Sequence, residues 1–309
     1  MIIVQLLGGL GNQMFQYAAG LALAETHRTV LKLDVSWFRD DPAHEDHNRY
    51  ALSCFHITEQ FATSEEIRRC RGCQTTRTER WAAALAEKLH LYHFADNYKG
   101  GGHWHTEDRP AGDPGFPGLP DNTYLGGMFQ SEKFFSGISG LLRMHFSLRY
   151  PATPEVEALA ARIRSGPSIA LHFRRGDYVR NPSFAGQIGS LGLDYHRRAL
   201  RLLRERCPGA TAYIFSDDIE SVAREFQPDG PHEFVRCVAP WHPWDNIRLM
   251  SLCNHLATAN STLSWWSAWL NPSPDKLIIT PDPWFADTKG MNNDIVPPSW
   301  TRLSRDTPV

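Results

Sequence analysis

The sequence predicts an α/β fold in two domains, and three stretches carry that prediction. Met1–Leu7 is a strand-like run that meets a glycine loop, Gly8-Gly-Leu-Gly11, and then Leu10, Met14, Tyr17, Leu21 and Ala24 at helical spacing. Ile169–Phe173 is a short apolar run flanked by Pro167 and Gly176, which reads as a buried strand entering a loop. From there to Ile279 strands and helices alternate, which implies a parallel sheet with helices on both faces. One such unit in each half gives two domains facing across a cleft. The expected boundaries are 1–150 and 151–290, with Pro151-Ala-Thr-Pro154 as hinge and segment 291–309 returning to the first domain.

The bulk properties set limits. A chain of 309 residues is long enough for two ordinary domains. With 42% hydrophobic and 21% charged residues it reads as a soluble globular protein. A net charge of −2 argues against a nucleic-acid partner. No apolar run approaches the ~20 residues of a membrane span, and the amino terminus lacks the basic and apolar regions of a signal peptide. A cytoplasmic protein is expected, and weak peripheral contact with the inner membrane stays open. The six cysteines are too sparse for a disulfide framework. Cys70-Arg-Gly-Cys73 lacks the second ligand pair of a structural zinc site, so no metal is expected there.

Taken in order, the first element is strand, glycine loop, helix. Gly9 and Gly11 let backbone approach a ligand, and the helix amino terminus attracts negative charge. Asn12 and Gln13 are expected at the lip of that loop, where a sugar hydroxyl or phosphate would be held; the plain alternative is a tight turn with a capping Asn. A dinucleotide fingerprint is partial: Met14 holds the third glycine position, while Asp34 ends the next apolar run. Residues 65–70 and 80–89 look helical, and 110–120 is loop by composition. Asn122–Gln130 reads as a strand and Ser131–Phe135 opens a helix. In the second half, helices are expected at Glu155–Ile163, Asp194–Arg206, from Ile219, at Leu249–Cys253 and at Leu263–Leu270. The strands are Ala212–Phe215, Leu256–Ala259 and, last, Lys276–Ile279.

Three strand ends converge by topology: Arg174-Arg175, Ser216-Asp217-Asp218 and Asn260-Ser-Thr-Leu-Ser264. Alternation puts His172 and Arg174 on one face. The arginine pair needs an anion, and Arg presents a fork of donors that suits phosphate or carboxylate. A structural ion pair, Arg175 with Asp177, is the rival, and the arginines alone leave both open. Ser261 and Ser264 place two hydroxyls at a helix amino terminus, either as a diphosphate cradle or as ordinary caps. Trp265, Trp266 and Trp269 at helical spacing read as core. Together these residues suit a nucleoside diphosphate bound in the second domain.

Gly8–Ala18, His172-Phe-Arg-Arg-Gly-Asp-Tyr-Val179, Phe215–Ile219, Leu249–Cys253, Ala259–Asn271 and Asp294–Trp300 resemble the bacterial α-1,2-fucosyltransferases, glycosyltransferase family 11, with its central H-x-R-R-x-D motif. The resemblance implies a GT-B fold of two Rossmann-like domains. It implies inverting transfer of L-fucose from GDP-β-L-fucose to the 2-OH of a terminal galactose, on an acceptor such as lactose or a lipid-linked oligosaccharide. It maps the leaving diphosphate onto Arg174, donor contacts onto His172, Ser261 and Thr262, and a contact across the cleft onto Asn12. No cofactor is implied beyond the donor. The acid expected before the L-M-S motif is Asn246 here, with Asp245 one step earlier, so the guanine contact departs from the pattern. Leu263 and Ser221 also depart, standing where Phe and Trp are usual. Asp177 and then His172 are the candidate bases. The rivals are a fucosyltransferase of other linkage, a non-catalytic GDP-sugar-binding protein, and an NAD(P) oxidoreductase resting on Gly9, Gly11 and Asp34.

Overall fold

The computed structural model describes residues 1–40, 49–71, 103–106, 115–175, 189–236, 241–286 and 293–305. The chain divides into two compact units, Met1–Arg149 and Tyr150–Val309. Each is built on its own parallel sheet.

The first unit contains β1 (Ile2–Gln5), α1 (Leu10–His27), β2 (Leu31–Asp34), α2 (Trp37–Asp40), α3 (Ser64–Arg71), β3 (His103–Thr106), β4 (Thr123–Gly126) and α4 (Ser139–His145). Its sheet runs β2-β1-β4-β3. β1 sits between two partners, which is why Ile2, Ile3 and Val4 are all fully buried rather than alternating. α1 is buried on most sides, including Met14, Phe15 and Ala18 at 0% exposure. It ends where Arg28 takes the left-handed conformation, φ 50°. Ser131–Phe135 forms a short 3-10 turn, Glu132–Phe134, and the α-helix begins later, at Ser139.

The second unit contains α5 (Pro154–Arg164), β5 (Ser168–Phe173), α6 (Leu193–Arg206), β6 (Thr211–Ser216), α7 (Ile219–Glu225), β7 (His232–Phe234), α8 (Pro243–Leu252), β8 (His255–Ala257), α9 (Thr262–Leu270), β9 (Ile278–Asp282) and β10 (Thr301–Ser304). α5 starts with Thr153 as cap, its Oγ1 accepting from the Val156 N–H at 3.4 Å, and Pro154 in the first turn. The sheet order is β10-β9-β8-β5-β6-β7, all parallel. Counted from β5 this is the Rossmann order 3-2-1-4-5-6. Ile169, Leu171 and Phe173 pack on Ala199, Leu200 and Leu203 of α6. The other face of β5 carries Ala170 and His172, as side-chain alternation requires.

One expectation is corrected. Lys276–Ile279 does not hold the last strand, and residues 301–304 do not return to the first unit. They pair with β9, Thr301 against Ile279 through Ser304 against Asp282, and form one edge of the second sheet. Thr-Arg-Leu-Ser has one apolar residue, and an edge strand needs no more, because Thr301, Arg302 and Ser304 stay exposed.

Candidate functional site

In a sheet of this order the chain leaves β5 toward β6 on one side, while β8 begins the other half. The loops after β5 and β8 diverge, and the crevice between them is where doubly wound sheets bind ligands. Arg174-Arg175 follows β5, and Asn260-Ser261-Thr262 follows β8. The polar residues singled out in the sequence therefore sit at the switch point.

The two guanidinium groups pair with different acids. Arg174 Nη1 lies 3.2 Å from Asp217 Oδ2. Arg175 donates its backbone N–H to Asp217 Oδ1 at 2.8 Å, and its guanidinium pairs with Glu225 Oε2 at 2.5 Å. The Arg175 hydrogen bond holds the Glu225 carboxyl below its ordinary range. Glu225 also accepts from Ser221 Oγ at 3.2 Å, one helical turn earlier. Arg175 is thus tied to α7. Asp218 caps the same helix, accepting from the Ser221 N–H at 3.3 Å, and Ser216 Oγ accepts from the Asp218 N–H at 3.0 Å. Asp177 lies outside the described residues.

His172 is 5% exposed, and its Nδ1 has no hydrogen-bond partner among the described residues. Burial pushes its pKa down to about 3; the Asp217 carboxylate opposes that shift, and Arg174 and His196 add to it. The ring is therefore neutral at pH 7. His196, on α6, stacks on Phe173 at 3.6 Å between ring centroids. Its two nitrogens lie 3.0 Å from the Gly192 carbonyl and 3.1 Å from the His172 carbonyl. Burial outweighs those carbonyls and lowers its pKa to about 4.

Both rings would bind a proton near 6.5 in the unfolded chain but resist it when folded. The unfolded state therefore takes up more protons over that window, and stability falls as pH drops below 6.5 toward 4 and 3. Thermal melts between pH 7 and 4.5 should show a falling Tm. A Tm that holds constant would show that the rings accept charge in place.

At the amino terminus of α9, Ser261 occupies the cap position with φ −129° and ψ 127°, yet makes no side-chain capping bond. The capping reading of Ser261 is therefore not the one the structure adopts. Thr262 opens the helix. Asn260 is 2% exposed and donates Nδ2 to the Gly189 carbonyl at 2.8 Å, fixing the loop before α6. Ser264 is corrected: it is fully buried, and its hydroxyl donates back to the Ala259 and Ser261 carbonyls at 3.2 and 3.0 Å. The tryptophans are core, as read. Trp265 and Trp266 are 0% exposed, and Trp265 Nε1 donates to the Ile295 carbonyl at 2.7 Å.

On α8, Asp245 is buried and accepts from the His242 N–H at 3.1 Å, so it closes the helix amino terminus. Asn246 is half-buried beside it.

In the first unit the glycine loop differs from its expected detail. Gly8, at φ +71°, carries the unusual conformation; Gly9 caps α1 in extended backbone and Gly11 is buried in the first turn. The positive φ favours glycine there, and a Cβ on Gly8 would lie 2.7 Å from Asn12 Nδ2, so a larger residue would also displace that amide. Asn12 is half-buried and its Oδ1 accepts from Gln130 Nε2 at 3.1 Å. Gln13 is not at the lip. It is fully buried, donating to the Gly8 and Arg49 carbonyls at 2.8 and 2.7 Å and accepting from the Ala51 N–H at 2.9 Å. Gln16 likewise accepts from the Leu7 N–H and donates to the Gly127 carbonyl. Asp34 is 1% exposed and already engaged by Tyr124 Oη at 2.7 Å and the Ser36 N–H at 2.9 Å. With its carboxylate so occupied it does not suit a ribose, which removes the support for the oxidoreductase reading.

Sequence reasoning missed Glu225 and Gln130. Both partner residues far away along the chain, and no local spacing signals them. Among the described residues no cluster of three His, Cys, Asp or Glu is placed to hold a metal, and no helix is long and apolar enough to cross a membrane.

Fold and site together define a doubly wound α/β protein with an arginine and a helix amino terminus at its sheet's switch point. The chain belongs to glycosyl transferase family 11, whose model matches residues 92–304. Over 317 aligned residues, covering 96% of this chain and 99% of the relative, it is 28% identical to the O-antigen biosynthesis glycosyltransferase WbnK of Escherichia coli. It is also 28% identical to an alpha-1,2-colitosyltransferase of Escherichia coli, over 98% of this chain and 99% of that one. Galactoside alpha-(1,2)-fucosyltransferase 1 of Leontocebus fuscicollis is 27% identical over 47% of this chain and 42% of its own length. Among solved structures, NodZ alpha-1,6-fucosyltransferase soaked with GDP-fucose is similar at a TM-score of 0.48 and 14% identity, over 90% of this chain and 94% of that one.

Proposed function

We propose that the protein transfers L-fucose from GDP-β-L-fucose to the 2-OH of a terminal galactose with inversion, in a GT-B arrangement. The observation that carries the reading is that Arg174 follows β5 and the amino terminus of α9 follows the neighbouring strand β8, at the switch point of a Rossmann-order sheet. That pairing suits a diphosphate. The acceptor oxygen attacks the anomeric carbon as the bond to the diphosphate oxygen breaks. Negative charge develops on the departing GDP, where Arg174 and the helix amino terminus stabilise it. Ser261 and Thr262, at that terminus, are the donor contacts of this reading, and Asn246 is its contact with the base. The acceptor proton passes to Asp177 or to the departing phosphate.

The α-1,2 linkage draws support from relatives whose names specify it. The same comparison favours a second donor, since one full-length relative is a colitosyltransferase. The protein is proposed to be cytoplasmic, and a lipid-linked acceptor would bring it to the inner membrane. Transfer is proposed to need no divalent ion. Asp217 and Asp218 could be compared with a metal-binding pair, but Asp218 is committed to α7 and Asp217 to the arginines.

The test offers GDP-fucose or a colitosyl donor to galactose-terminated acceptors, in excess EDTA, with linkage read by NMR. An α-1,2-fucosyl product formed at undiminished rate is the expected result. Transfer of colitose alone would change the donor. Loss of activity restored only by Mg²⁺ or Mn²⁺ would make Asp217 a metal ligand. GDP-fucose hydrolysis and transfer both absent would leave a GDP-sugar-binding protein.

A further inference from the structure

We infer that Asp217 is a positioning residue for Arg174, one whose charge also speeds release of the nucleotide. This rests on the nucleotide reading proposed above. Asp217 directly follows β6, the strand paired with β5. One of its oxygens accepts the Arg175 N–H at 2.8 Å, and Ser216 Oγ lies 3.5 Å from the same atom. The carboxylate is therefore fixed to the backbone of the β5 loop and is not a wandering counter-ion. Its second oxygen meets Arg174 Nη1 at 3.2 Å, with the two side chains 27% and 22% exposed. Pairing with a fixed carboxylate sets the plane of a guanidinium, and that plane decides which way its fork of donors points. Glu225 braces Arg175 in the same loop from α7. The two acids divide the arginine pair into a strut, Arg175, and an aimed donor, Arg174.

The arrangement has a second effect of opposite sign. A carboxylate beside a diphosphate site repels the diphosphate, an effect the attraction through Arg174 only partly offsets. Asp217 weakens the hold on GDP while improving the geometry of transfer. A residue that simply supported the fold would raise or lower both together.

Asp217→Asn separates the two effects, because the amide keeps an acceptor for the Arg175 N–H but removes the charge. The expected result is kcat lower by about tenfold or more, from misaimed donors. GDP should at the same time bind tighter, with Kd reduced about threefold or more. Asp217→Ser, which also offers the N–H an acceptor, gives the same reading if the Asn variant does not fold. Circular dichroism confirms the fold, and calorimetry with GDP and initial rates with GDP-fucose give the two numbers. In a folded variant, kcat left intact overturns the positioning role, and GDP binding that is unchanged or weaker overturns the effect of the charge on nucleotide release; the nucleotide reading survives both. A wild-type protein that does not bind GDP overturns the nucleotide reading with it.

Discussion

Arg174→Lys is expected to lower transfer turnover by about 100-fold or more, comparable to losing one transition-state donor in other enzymes. Lysine keeps the charge but is a point donor without the planar fork. The Asp217 carboxylate, 3.2 Å from Nη1, would still find a cation but could no longer fix a plane. Donor KM should change much less than kcat, because attraction for the ground-state diphosphate survives while the geometry needed as its charge grows does not. The variant should fold, since its side chain is 27% exposed and packs no core. Initial rates at saturating GDP-fucose measure the effect. Near-normal turnover in a folded protein would move the leaving-group role to another residue.

Trp265→Ala should destabilise the second unit by about 3–5 kcal/mol, the usual cost of emptying so large a site in a core. The ring is 0% exposed, meets Trp266 at 4.9 Å and Trp300 at 5.4 Å between centroids, and stacks parallel to Trp269. Its loss also leaves the Ile295 carbonyl without the indole N–H. Trp265→Phe keeps an aromatic ring while removing the N–H and part of the volume, and should cost less than the Ala variant, roughly 1–3 kcal/mol. Because Trp265 is in the first turn of α9, the Ala variant should lose GDP affinity together with stability. Denaturant titration with and without GDP checks both, and an Ala variant as stable as wild type would show that the cluster repacks.

The two parallel-sheet units were legible because buried parallel strands are continuous apolar runs and helices keep their own period. Asp194–Arg206 was expected as a helix and α6 spans Leu193–Arg206. β10 was not legible, since an edge strand with a single leucine leaves no periodic signal. Within the site, residue types at the strand ends were readable, but the direction of each polar group was not. Ser264 has the right type and position for a ligand, yet one helical turn places the Ala259 and Ser261 carbonyls within reach of its hydroxyl. Gln13 fails for the same kind of reason, because Gly8, Arg49 and Ala51 offer it backbone partners that become neighbours only after folding. The Arg175 guanidinium pairs with Glu225, fifty residues away, a partner that nearness in sequence does not signal.

The tryptophans are unevenly shared. Trp241, Trp244, Trp265, Trp266, Trp269, Trp284 and Trp300 all follow residue 150, and only Trp37, Trp81 and Trp104 precede it. Intrinsic fluorescence is therefore chiefly a reporter of the second unit, with the sealed pair Trp265 and Trp266 giving the strongest spectral change when it opens. Far-UV circular dichroism follows the helices of both units. Superposed melting curves from the two signals would mean one cooperative transition. If they separate, the optical contrast alone says which unit lets go first, without labels or truncation.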